Sequence, residues 1–211
     1  MATSTAISAQ GTSFYIAGTD GSSITITGIT KATAAVVTAT NTLSAGDVVV
    51  FGAVTNMPEI AGMIGIVSTA TSSSFTVNID SSGFAAAGTS GTATPKTWTA
   101  VGNCSSYSGF DGQKSEIDVS NLQSAAKEFI PGLEDFGQIT VEVQVDDTDA
   151  GQLACRANKS ANVNTYFKIA LPNSKKRVWK GFVKQFGEQG GVDQVVKGSI
   201  VVRATGAVSR A

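Results

Sequence analysis

The chain has 211 residues, a formal net charge of −1 and no histidine. The missing imidazole removes the commonest general base and metal ligand near neutral pH, so Ser–His–Asp and Cys–His catalysis are excluded. The near-zero charge gives none of the global basic character that marks nucleic-acid binding. Charged residues make up 15% and apolar ones 42%, against roughly 25% charged in average domains. Ser, Thr, Ala and the 23 Gly fill the difference, a composition of strands and turns rather than of disorder.

Charge is uneven: up to residue 96 the chain carries only Lys31, Lys96, Asp20, Asp47, Glu59 and Asp80. The two cysteines, Cys104 and Cys155, have no metal spacing and form no disulfide framework. They are expected as two buried free thiols, with a disulfide left open. MATSTAISAQG at the start lacks the basic and apolar regions of a signal peptide. No apolar run approaches the roughly 20 residues that span a bilayer. The expectation is a protein made in the cytoplasm, soluble until it assembles, without membrane insertion.

In chain order, SFYIA (13–17) reads as a short strand closed by the turn Gly18-Thr19-Asp20-Gly21. ITITGIT (24–30), AAVVTAT (34–40), DVVVFGAV (47–54), MIGIVSTAT (63–71) and SSFTVNID (73–80) follow at the even spacing of a small barrel or sandwich. Residues 81–95 form a low-complexity link whose Gly and Thr argue against a helix. TWTAVGNCSSYSGF (97–110) reads as one strand, and 111–137 as a long polar segment of mixed charge. Segments of that length without structure of their own are functional or disordered.

QITVEVQVDD (138–147) alternates, with Ile139, Val141, Val143 and Val145 on one face and Thr140, Glu142, Gln144 and Asp146 on the other. Asp147-Thr148-Asp149 offers N-cap chemistry ahead of a helix over 150–161, whose Leu153, Ala154, Ala157 and Ala161 fit a 3.6-residue period. Strands return at 163–172, 177–190 and 193–206, joined by the basic turn Lys175-Lys176-Arg177. In 177–190, read strictly, Trp179, Gly181, Val183 and Gln185 form one face and Val178, Lys180, Phe182, Lys184 and Phe186 the other; neither is purely apolar, which suggests an interface on one side.

Little of this is catalytic chemistry. Glu116, Asp118, Glu128, Glu134 and Asp135 crowd one segment, but it is the least regular part of the chain, and carboxylate catalysis needs a rigid scaffold. The DDTD run at 146–149 lacks the glycine and glutamate spacing of an EF-hand and suits a helix N-cap better. The KKR turn reads as a solvated turn or one side of an inter-subunit ion pair rather than a phosphate site. No metal and no cofactor are expected, and the chain is not read as an enzyme.

The string SYSGFDGQKSEIDVSNLQSAAKEFIPGLEDFGQITVEVQVDDTDAG (106–151) resembles the signature of siphophage tail tube proteins. The matching positions are Glu116, Ile117, Asp118, Val119, Leu122, Ser124, Ala126, Lys127, Glu128, Phe129, Gly132, Leu133, Asp135 and Gly137. GTSFYIAG (11–18) and the final strands from KGFVKQFG onward resemble the family as well. The resemblance implies a mainly β fold: a tail-tube-type β-sandwich with one flanking α-helix, formed by residues 1–21 and 96–211. It also implies six copies joining strands edge to edge into rings that stack as a hollow tube.

In that picture 111–137 is a loop or hairpin reaching between subunits and rings. Lys114, Glu116, Asp118, Lys127, Glu128, Glu134 and Asp135 would set register there. Ile117, Val119, Leu122, Phe129, Ile130 and Leu133 would be the apolar anchors. Glu142, Gln144 and Asp146 are the candidates to face a lumen that passes double-stranded DNA. Other implied partners are the tail tip, tail terminator and tape measure proteins, with the phage tail as the location. Residues 22–95 interrupt the family pattern and resemble a small β-barrel module of phage tail proteins, similar to the first catalytic-cysteine half-domain of ubiquitin-activating enzymes. It is expected as an inserted domain on the tube exterior, or as reinforcement between rings. The alternatives are a contractile or type VI-like tube protein and, from a different class, a carbohydrate-binding β-module.

Overall fold

A computed structural model describes residues 6–211. The strands are β1 (Ser13–Asp20), β2 (Ile24–Ile26), β3 (Gly28–Ile29), β4 (Val36–Thr38), β5 (Val48–Thr55), β6 (Ile64–Ala70), β7 (Ser74–Val77) and β8 (Ser90–Val101). Next come β9 (Cys104–Gly109), β10 (Gln113–Asp118), β11 (Phe129–Asp135), β12 (Gln138–Gln144) and helix α1 (Ala150–Ala161). The chain closes with β13 (Thr165–Ala170), β14 (Lys176–Gln189), β15 (Lys197–Ala204) and β16 (Ser209–Arg210). The expected mainly β fold with one helix is what forms. No helix among the described residues is long and apolar enough to cross a membrane.

The chain packs as two compact units. One takes the chain up to Val101 with Tyr166–Trp179 and Val208–Ala211. In it the strands run in the order β3-β4-β7-β6-β5-β8-β1-β13, with β2 added on β8. Ile26, Val37, Phe51, Met57, Ile60, Phe75 and Val77 fill one core. A second core stacks Phe14 and Trp179 about Phe167, with ring centroids 5.9 Å from Phe167 in each case. Val48, Ile66 and Val178 form a small buried cluster against Trp98.

Two expectations are corrected in this unit. Segment 24–29 pairs with β8 through β2 and with β4 through β3, but the ladder breaks at Thr27 between them. The result is a wrapped sheet rather than the closed barrel expected for 22–95. The link 81–95 is also not all loop. Its end belongs to β8, which pairs first with β2 and β5 and then with β1. Pro95 is tolerated because its carbonyl still accepts from Gly21 at 2.9 Å, and only a donor is lost.

The second unit takes Gly102–Thr165 and Lys180–Ala207. Its sheet runs β14-β15-β12-β9, and β10–β11 forms a separate two-stranded sheet. The strand read from 97–110 is broken at Gly102-Asn103, where Asn103 takes φ +58°, a left-handed conformation that Asn tolerates well. Ile139, Val141 and Val143 are buried as their alternation predicts, together with Val183, Ile200 and Val202. Strand β14 departs from strict alternation: its register against β15 shifts between Val183 and Gln185, and Val178 and Val183 are buried while Phe182 and Phe186 are half-buried.

Helix α1 starts where Asp149 accepts the Gln152 N–H at 2.8 Å and ends at Asn162 in the left-handed region. Its inner face is not the one that periodicity selected. Gly151, Gln152, Cys155 and Asn158 are buried, whereas Leu153 is exposed. The spacing is still helical, but polar side chains line the inner stripe because each one caps open backbone groups. Gln152 donates to the carbonyls of Gly102 and Gln144 at 3.2 and 2.9 Å and accepts from Asp146 N–H at 3.1 Å. No disulfide joins the two cysteines: Cys155 is buried, while Cys104 lies exposed on β9. Burial pushes the Cys155 thiol up to about 12, so it is chemically inert.

Candidate assembly interface

The segment expected to reach between copies is an ordered β-hairpin. Ile117 pairs with Ile130 and Asp118 with Phe129, with a bulge between Lys114 and Glu116. Its tip is tied by local bonds: Val119 N–H to the Glu128 carbonyl at 2.9 Å, and Glu128 N–H to the Ser120 hydroxyl at 2.9 Å. The Asn121 side chain accepts from Gln123 N–H at 2.9 Å. Ser120 also donates through its hydroxyl and its N–H to Asp118, which holds that carboxyl below its ordinary value. Ser, Asn and Asp are the residues that close such turns on their own backbone, which is why the polar composition of 119–128 makes a structured tip rather than a disordered one.

At the base of the hairpin, Asp135 accepts from Gly137 N–H at 2.9 Å and from the Arg203 guanidinium at 2.6 Å. Both interactions lower its pKa, the Gly137 bond more. Gly137 has φ +75°, and a Cβ there would meet Asp111 Oδ1 at 2.5 Å, so only glycine fits this hinge. The pairing of Arg203 with Asp135 has no local signal in the sequence, since the two lie 68 positions apart.

All thirteen contact candidates (Lys114, Glu116, Ile117, Asp118, Val119, Leu122, Lys127, Glu128, Phe129, Ile130, Leu133, Glu134 and Asp135) are brought together on this hairpin and are exposed. Leu122 and Leu133 are 107% and 89% exposed. Ile117 and Ile130 are cross-strand partners on one face of the ribbon, and Phe129, opposite Asp118, lies on the other. Lys114 and Glu134 approach to 3.8 Å in the open, a contact worth little on its own. A second exposed apolar stretch, missed in the sequence, is Val192, Val195 and Val196 in the turn between β14 and β15.

The lumen candidates are less uniform. Glu142 is half-buried and accepts from the Ser199 hydroxyl at 2.8 Å, and Gln144 is exposed. Asp146 lies beyond the end of β12, where the Thr148 hydroxyl and N–H bond it and hold its pKa down. The same face of the sheet carries Thr140 opposite Ser108 and Glu142 opposite Ser106 and Ser199. Among the described residues, β9 ends the strand order and pairs with β12 alone. It carries neither charge nor proline, the usual protections of an open edge.

A family model described as phage tail tube, TTP, lambda-like, matches residues 84–176. That range contains every contact and lumen candidate, and the family it represents is structural rather than enzymatic. The resemblance to phage tail tube proteins read from 106–151 therefore has independent support, while residues 22–83 fall outside the matched range. No curated protein matches the chain. Among solved structures, a chain in the tail of an empty gene transfer agent particle, refined with C6 symmetry, is 14% identical with a TM-score of 0.47. It covers 54% of this chain and 86% of its own. A chain from the virion of a native gene transfer agent particle gives the same identity and score and covers 88% of its own length.

Proposed function

We propose that the chain is the structural subunit of a phage tail tube, with six copies closing a ring, rings stacking, and the lumen passing double-stranded DNA. The observation that carries this reading is a hairpin that exposes Ile117, Leu122, Phe129, Ile130 and Leu133 inside the region that matches the tail tube family. A lone two-stranded hairpin is marginal in water, so these side chains call for cover from other copies. The uncharged edge of β9 supports the same reading, since ring closure satisfies edges by symmetry.

The wall facing DNA is proposed to be the polar face of β12, with Glu142 and Gln144, and with Asp146 at its end. Cationic walls hold phosphate through counterion release, whereas this face is rich in Ser, Thr and Gln. Residues 22–95 are proposed as an inserted module on the tube exterior, and the tail tip, terminator and tape measure proteins as assembly partners. The carbohydrate-binding alternative gains no support from the cleft of about 950 Å³ beside β2, whose lining holds no aromatic ring among the described residues.

Cryo-EM of filaments grown from the purified chain tests the proposal. Stacked six-fold rings with the hairpin between copies are expected. A lumen ringed by Lys180, Lys184 or Arg203 without compensating carboxylates contradicts the assignment of the DNA-facing wall.

A further inference from the structure

The sheet of the first unit opens as a fork. Thr27 N–H still donates to the Thr38 carbonyl at 2.9 Å. Beyond that point β2 stays with β8, while Ala39 and Asn41 bond the other way, their N–H groups on the Ser73 and Ser72 carbonyls at 3.0 Å. The gap between the two arms is the cleft of about 950 Å³ beside β2. Register fixes which backbone groups face it. Gly21 N–H donates to the Pro95 carbonyl at 2.9 Å, so by alternation Ala93 and Gly91 are the β8 residues that bond β2, through Ile24 and Ile26. Thr25 then turns its N–H and C=O away from β8, into the cleft. On the opposite arm Thr40, between Ala39 and Asn41, does the same. No hydrogen bond meets these backbone groups among the described residues.

Ile24 and Leu43 line the cleft and pack on the core beneath it. The two charged side chains of the lining are already bonded, Lys96 to Asp20 at 2.6 Å and Asp47 to Ser44 N–H at 2.8 Å. Two open strand edges over an apolar floor form a slot for one extended, uncharged segment, held by main-chain bonds and read by alternate side chains. Strand β9 has β12 beside it, so it suits an outer edge rather than a slot between two. Ala6–Gln10 has the required character: it is uncharged, outside any strand and exposed at every position, with Ile7 54% exposed. Extended, it puts Ile7 and Ala9 on one side and Ala6, Ser8 and Gln10 on the other. It does not reach the cleft of its own chain. Phe14 lies opposite Val101 and Ile24 opposite Ala93, which are about 26 Å apart along β8, whereas the chain from Gln10 to Phe14 spans at most about 14 Å. We infer that the cleft receives Ala6–Gln10 of a second copy as an added strand between Thr25 and Thr40, with Ile7 and Ala9 over Ile24 and Leu43. Two different patches then meet, a heterologous contact of the kind that builds rings and filaments. The inference rests on the reading that copies of this chain assemble, and adds a contact separate from the β10–β11 hairpin.

Hydrogen exchange of the full chain, below and above the concentration at which it associates, tests this. On association the Thr25 and Thr40 amides should gain at least about tenfold protection in the wild type and none in Ile7→Asp. Ile7 is exposed, so the variant should fold as the wild type does, which circular dichroism checks. A second readout is cross-linking. Ser8→Cys and Thr40→Cys chains, each also carrying Cys104→Ser, are mixed at the associating concentration and oxidised; disulfide dimers that require both chains are expected. Association that leaves both amides unprotected overturns this inference and leaves the tail tube reading intact. So does an associating mixture that gives no mixed dimers. Protection that persists in Ile7→Asp assigns the cleft to another occupant and overturns it as well. A wild-type chain that never associates overturns both readings.

Discussion

The side-chain oxygen of Asn158 accepts the backbone N–H of Val183 at 2.9 Å, where β14 slips register against β15. A bulge disturbs the ladder and re-aims a strand, and here the helix supplies the acceptor. The Asn158 amide also donates to the Val163 carbonyl at 3.0 Å, beyond the helix end. Asn158→Leu leaves both backbone groups without this partner and should cost at least about 2 kcal/mol, since each unsatisfied buried group costs roughly 1–3 kcal/mol. Asn158→Asp keeps the acceptor but buries a carboxylate against the Val163 carbonyl, so it should cost at least as much. Urea unfolding of the two variants measures the difference.

Gln152 makes a parallel prediction at the other end of α1. Gln152→Leu keeps the volume but leaves Gly102 and Gln144 carbonyls and the Asp146 N–H without their contacts. A loss of at least about 2 kcal/mol is expected, with faster hydrogen exchange at Asp146. Unchanged exchange there would show that the Gln152 bond does not hold this turn.

Lys168 should make stability depend on pH in an unusual direction. Burial first, and Lys176 next, pull its amine down to about 8, with Asp47 opposing. The ring faces of Tyr15 and Trp98, 4.3 and 4.5 Å from the ammonium, favour the charged form but do not outweigh burial. Between about 8 and the free-lysine value of roughly 10.4 the unfolded chain binds more protons than the folded one, so stability rises with pH across that window. Below it the burden of the charge is fully present. Urea midpoints from pH 7 to 9.5 should climb in the wild type and stay flatter in Lys168→Met; equal slopes rule out Lys168 as the source.

Leu122→Asp with Leu133→Asp should leave the monomer intact. Both side chains are exposed, and surface changes of this kind usually stay within about 0.5 kcal/mol. Assembly, in contrast, should be lost, because an anchor in a covered interface would become a buried charge. Thermal melts and sedimentation of the same sample separate the two effects.

Alternation and turn chemistry made much of this legible. Ile139, Val141 and Val143 lie where period 2 placed them, and Asp149 caps α1 as the acidic run suggested. The helix face was misread because apolarity was taken as the guide to burial. Gln152 and Asn158 face inward for their hydrogen bonds, with Cys155 buried between them, while Leu153 stays outside. The 81–95 link was misread because Gly, Thr and Pro weaken strand signals, although β2, β5 and β1 supply partners that override them. The hairpin residues were found through the family motif. The basic turn was only half legible: Lys175-Lys176-Arg177 stood out in the chain, but the pairing of Arg177 with Arg210 on β16 exists only in the fold.

The most direct test of the tail tube reading is negative-stain microscopy of the purified wild-type chain over rising concentration, beside the Leu122→Asp, Leu133→Asp variant. Hollow tubes of stacked rings from the wild type and none from the folded variant are the predicted result. A wild-type chain that remains monomeric at every concentration, or a variant that forms the same tubes, contradicts it.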